Sequence, residues 1–232
     1  RLGVIPFLVI GVWGIRQLFD YLKISDWGKL LGAIFYLTNT YILLLIDGGQ
    51  LNLALAYSLL PLSFFFYRLS IEKNLPKNKI KFALAVLVIS IYDIRIVYFV
   101  VLLILFSFVS NFLFNKRLIS RWSLIIGHLK LVFTAGFILV GFHAYWLLPS
   151  TFTRAPDLPT GYERISQLNT LSFSSWKHSI LLLSPHWFKN VFGKVTGIRY
   201  EFVLIPVLVF LAPILKRKDK NVIFWLTVAI TG

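Results

Sequence analysis

The chain has 232 residues, of which 58% are hydrophobic, 17% aromatic and only 14% charged, with a mean hydropathy of +0.79. That balance leaves too few polar residues to cover a soluble domain and describes a polytopic membrane protein. The net charge of +15 would suit nucleic acid, but the basic residues sit mostly in short loops between apolar runs, so nucleic acid is not the expected partner.

The expected fold class is all-α, a transmembrane helix bundle with short amphipathic interfacial helices and one long external loop. In chain order, residues 2–15 are apolar and read as the remnant of a spanning helix. Arg16–Lys29 mixes charge with Leu18, Phe19, Leu22 and Trp27 and reads as an amphipathic segment lying in the interface. Leu30–Ile46 and Leu51–Tyr67 then form two apolar arms around the polar tip Asp47-Gly48-Gly49-Gln50. Each arm is near the lower limit of about 17–25 residues for a bilayer-spanning helix. The glycine pair allows the reversal, and Asp47 can cap the second helix or present a carboxylate at the membrane surface.

A basic stretch, Arg68–Lys81, leads to a short apolar run at 80–92, only about 20 Å long as a helix. Asp93-Ile94-Arg95 interrupts it before a crossing at 96–114. Asn115–Arg121 is another basic loop, and a crossing at 126–149 follows, with Lys130 able to snorkel to the headgroups. Residues 151–199 form the long polar loop, 200–215 cross again, and Lys216–Lys220 precede a last apolar run at 221–232. The whole reads as one transmembrane domain and, lacking Met and starting mid-pattern, as a piece of a longer chain.

With Arg16–Lys29, Arg68–Lys81, Asn115–Arg121 and Lys216–Lys220 in the cytoplasm, most basic residues lie inside and every apolar run alternates. Asp47, Gln50, Asp93, Arg95 and the 151–199 loop then share the outer face. Ionisable groups at membrane depth are functional candidates by default, and Asp93 with Arg95 is the best of them. The plainer reading, that they pair with each other or cap helix ends, carries about equal weight. The loop carries Arg154, Arg164 and His178 among its basic excess and asks for an anionic partner such as a phosphate headgroup. Without Cys, no disulfide or thiolate metal site is available. His128, His143, His178 and His186 show no metal-binding spacing, and His143 reads as hydrogen-bonded packing. No nucleophile elbow, phosphate loop or dinucleotide fingerprint is present.

Two stretches, GAIFYLTNTYILLLIDGGQLNLALAYSLLPLSFFFYRLS (Gly32–Ser70) and ISIYDIRIVYFVVLLILF (Ile89–Phe106), resemble the membrane-embedded glycosyltransferases of the GT-C superfamily, nearest the arabinofuranosyltransferase-like and YfhO-like proteins of bacteria and archaea. The resemblance implies a multi-pass plasma-membrane enzyme that moves a sugar from a polyprenyl-phosphate donor to a glycan, lipid or protein acceptor at the outer face. It places the catalytic base in a first external loop before residue 1, with Asp47, Asp93 and Arg95 as supporting residues and Gln50, Arg154, Arg164 and His178 contacting substrate. Metal use varies across the superfamily, so a divalent cation is the one cofactor it admits. The same layout also suits a transporter or flippase for a lipid-linked or anionic substrate, or a non-catalytic protein of envelope assembly.

Overall fold

The computed structural model describes residues 3–114, 118–152 and 203–215, together with Val222, Phe224, Trp225 and Val228. Among the described residues it is helical throughout, with no strand. Nine helices are described: α1 (Val4–Tyr21), α2 (Asp26–Leu37), α3 (Thr40–Asp47), α4 (Leu51–Ser58), α5 (Leu60–Lys73), α6 (Pro76–Tyr92), α7 (Ile94–Phe114), α8 (Leu118–Phe152) and α9 (Leu204–Leu215).

Four segments are long and apolar enough to cross a membrane: α1, α4 with α5 taken together, α7 and α8. The bent pair α2–α3 makes a fifth if it counts as one broken span. The central helix is α6, which packs on α4, α5, α7 and α8 and buries Phe82, Ala83, Val86 and Ile89. In a bilayer, lipid tails would be as apolar as leucine, so close packing and polar contacts between helices would have to carry the association. Glycine at position 11 fits that need: a Cβ there would strike the Leu37 side chain, so α1 and α2 meet closely.

Several elements differ from the sequence expectation. The interfacial segment Arg16–Lys29 does not exist as a unit: Arg16–Tyr21 continue α1, and Asp26–Lys29 open α2. Apolar side chains on both sides of the charges keep the helices going, and the chain turns only at residues 22–25. Lys23 takes a left-handed φ of 57° there, and the amides of Lys23 and Ile24 close the end of α1 on Asp20 and Phe19. Ser25 then caps α2, accepting the Gly28 amide at 3.3 Å.

The arm expected as one helix over 30–46 is broken, with α2 and α3 bent by 48°. Asn39 causes the break and satisfies it. Its Oδ1 accepts the Ile42 amide at 3.1 Å, and its Nδ2 donates to the Tyr36 carbonyl at 2.7 Å. Asp47 does not cap the second arm. It ends α3, whose last carbonyls, on Leu45 and Ile46, accept the amides of Gln50 and Gly49 around Gly49 at φ +74°.

The run expected over 80–92 begins earlier, at Pro76, because proline suits a first helical turn. It is therefore about 25 Å long, not 20 Å. The helix expected over 126–149 extends to Leu118–Phe152 and takes in the start of the expected external loop. Along it Trp122 and Trp146 stand about 36 Å apart, close to the separation of the two interfacial belts of a bilayer.

The ends of the bundle differ in charge. At one end Tyr21 donates to Glu72 at 2.8 Å, joining α1 to α5, with Lys73 in the last turn of α5 and Lys77, Lys79 and Lys81 at the start of α6. At the other end Gly3 meets Leu51, and Asp93 and Arg95 act electrostatically on Tyr41. The Asp47–Gln50 tip and the Asp93–Arg95 break thus share an end, opposite the basic turn between α5 and α6.

Candidate functional site

The best-formed site grows from the α6–α7 junction. Asp93 adopts an extended backbone, φ −159° and ψ 113°, which ends α6. Its Oδ1 accepts the Arg95 amide at 2.9 Å and so caps α7. The same carboxylate accepts Arg95 Nε at 3.0 and 3.2 Å and Nη2 at 2.6 Å. Three N–H groups of one residue, with Nε–H shared between the two oxygens, thus engage both oxygens of the carboxylate. The Arg95 guanidinium beside it holds the Asp93 carboxyl below the usual carboxylate range. Both structural roles foreseen for this pair, mutual pairing and capping, are therefore met.

The exposure of the two partners is unequal. The Asp93 side chain is 11% exposed and that of Arg95 is 71% exposed. Asp93 is the fixed member, and Arg95 turns its remaining N–H donors outward.

Beside the pair lies a cleft of about 400 Å³ between the end of α6 and the outer turns of α8, walled by Tyr92, Asp93, His143, Tyr145 and Trp146. Its floor is a directional chain of hydrogen bonds. The Trp146 indole donates to His143 Nδ1 at 2.9 Å. An indole can only donate, so Nδ1 is the acceptor and the ring proton sits on Nε2. Nε2 then donates to Ser90 Oγ at 2.8 Å, and Ser90 donates to the Leu87 carbonyl at 2.7 Å. Both nitrogens of His143 are used, so it fixes the wall of the cleft and is not available as a general base. Tyr145, at 76% exposure, stands free at the rim.

The other candidates from the sequence divide into two groups. Asp47 and Gln50 are exposed at the α3–α4 tip, and the Gln50 carbonyl accepts the Ala54 amide at 3.2 Å to start α4. They share the end of the bundle with Asp93 and Arg95 but do not line the cleft. Arg154, Arg164 and His178 lie outside the described residues. No group of three or more His, Asp or Glu that would hold a metal occurs among the described residues.

Two further polar clusters went unnoticed in the sequence. At the α2–α3 break, Tyr36 donates to the Tyr57 carbonyl at 2.8 Å, and the two rings stack at 4.3 Å. Toward the basic end, Tyr67 meets His128 at 2.8 Å, and Ser107 is within hydrogen-bonding reach of Tyr67. The advance signals for the cleft were the charged interruption at Asp93 and Arg95 and the spacing of His143 and Trp146, which places those two on one helix face.

The chain matches no known protein family, no curated protein and no solved structure.

Proposed function

We propose that the protein is an integral membrane glycosyltransferase that takes a sugar from a polyprenyl-phosphate donor at the outer face of the plasma membrane, with the Asp93–His143 cleft as its donor subsite. The observation that carries this reading is the fixed Asp93–Arg95 fork beside an aromatic cleft at the less basic end of the bundle.

The chemistry follows from the parts. A sugar ring offers C–H faces that stack on aromatic rings and hydroxyls that need polar partners, and Tyr92, Tyr145 and Trp146 supply rings whose polar tips suit an interface. A polyprenyl phosphate offers anionic oxygens at headgroup depth, which the outward donors of Arg95 match as a planar fork. As the sugar leaves, negative charge grows on that phosphate, and a fixed cation stabilises it most when it need not reorganise. Asp93 supplies that fixity. It is a positioning residue, since a carboxyl held below its usual range is a weak base. On this reading the residue that deprotonates the acceptor lies elsewhere in the protein.

The test is sugar transfer in membranes from cells making the full-length protein, with a labelled polyprenyl-phosphate sugar. Arg95→Gln and Tyr145→Ala are expected to lower transfer at least about tenfold with unchanged accumulation, and Arg95→Lys to fall between. Full transfer in both Arg95→Gln and Tyr145→Ala membranes overturns the assignment.

A further inference from the structure

A second cleft, of about 500 Å³, runs between α1 and α2 away from the Asp93 site. Its walls are apolar, with Val12 and Ile15 on α1 and Leu30 and Ile34 on α2. Its basic-end mouth is a row of alternating charges: Arg16, Asp20, Lys29 and Asp26. Lys29 bridges Asp20 at 2.6 Å and Asp26 at 2.9 Å. Arg16 reaches Asp20 only through Nε, at 3.8 Å, and is 75% exposed. Asp26, 97% exposed, is engaged through Oδ1 alone.

We propose that this groove holds a zwitterionic, amine-bearing phospholipid from the leaflet at the basic end, one acyl chain between α1 and α2 and its headgroup across Arg16 and Asp26. Three features of the groove point to that occupant. From Asp26 to Thr38 it follows α2 for about 18 Å, close to the depth of one leaflet, half of a ~30 Å core. Its charges change sign at the mouth and nowhere along the walls, as the polarity of a phospholipid does. The four charges cancel, so the mouth matches a headgroup with both signs. The outward guanidinium of Arg16 meets the phosphate, and the spare oxygen of Asp26 accepts from the ammonium. A purely anionic lipid would satisfy Arg16 but bring its charge against Asp26 and Asp20. The inference rests on the membrane reading and is independent of the sugar-transfer reading.

The experiment is native mass spectrometry of the full chain released from detergent, with phosphatidylethanolamine and phosphatidylglycerol of identical acyl chains in competition. Retention of phosphatidylethanolamine over phosphatidylglycerol is expected. Arg16→Gln and Asp26→Asn should each lower that retention about tenfold, the scale of one charge-assisted hydrogen bond. Ala33→Trp, which fills the groove from α2, should abolish it while leaving the mouth charges in place. Equal or preferred binding of phosphatidylglycerol, or unchanged retention in Ala33→Trp, overturns the proposal. Membrane fractionation of the same cells before solubilisation separates the two failures. A chain absent from membranes refutes the membrane reading, whereas a membrane-bound chain without lipid preference refutes the groove alone.

Discussion

Tyr67 on α5 donates its hydroxyl proton to Nε2 of His128 on α8, across 2.8 Å. The direction follows from the other side of the ring, where His128 Nδ1 lies 2.8 Å from the Leu124 carbonyl and must donate to it. Both residues are buried, so the pair is a polar rivet between two long helices. Tyr67→Phe should destabilise the protein by about 1 kcal/mol, the scale of an interhelical bond in a membrane, by leaving Nε2 unpaired. Adding His128→Leu should restore part of the loss, since it removes the unpaired imidazole nitrogen, while Ser107 still lacks its Tyr67 partner. Thermal unfolding in detergent of the two single variants and the double variant checks this. Simple additivity of the losses would show that the two side chains act independently.

Asn39 supports the break in the second span with one side chain. Asn39→Ala removes the acceptor for the Ile42 amide and the donor to the Tyr36 carbonyl, and should cost about 1 kcal/mol. Asn39→Ser keeps a capping acceptor without the Nδ2 donor and should cost less. Comparison of the two melting temperatures decides whether the cap or the donor dominates. An Asn39→Ala protein as stable as the parent would mean that the bend is held by its surroundings alone.

Much of the architecture was legible from apolar runs alone. The helical bundle, the reversal at Gly48-Gly49 and the interruption at Asp93 all follow from where polar residues stop a hydrophobic stretch. What was not legible depends on side chains meeting across the bundle. The Arg16–Lys29 segment looked interfacial because its charges are dense, yet they fall at the facing ends of α1 and α2 and pair there. The break at Asn39 was hidden because a single Asn in an apolar arm has no fixed meaning until its donors and acceptors find partners. The cleft joins Ser90 to His143, residues distant in sequence, and no periodicity connects them.

The Asp93–Arg95 fork gives a pH dependence of known sign. Arg95 lowers the folded-state pKa of Asp93 below its unfolded value, so the stabilisation is complete above that unfolded value, about 3.9. It is lost as pH falls through the folded value. The contribution of this pair to thermal stability should therefore be full and constant between pH 7 and about 5, and should fall in stronger acid. Asp93→Asn should be less stable at neutral pH and show a shallower acid fall. Parallel curves for the two proteins would place the fork outside the acid response.

The membrane reading, with the basic loops inside, predicts which end faces out. Single cysteines can be introduced freely, because the chain has none. With an impermeant thiol reagent on intact cells, Gln50→Cys should be labelled and Lys77→Cys should not, until the membrane is permeabilised. Labelling of Lys77→Cys from outside would invert the bundle and move the Asp93 cleft to the other face.

The central claim is that a polyprenyl-phosphate sugar occupies the cleft between α6 and α8. A photoreactive polyprenyl-phosphate sugar, crosslinked in membranes and mapped by peptide mass spectrometry, addresses it directly. The account predicts labels on peptides holding Tyr92–Arg95 and His143–Trp146, displaced by unlabelled donor and lost in Arg95→Gln. Displaceable labels confined to other segments, with none on these two peptides, would contradict it.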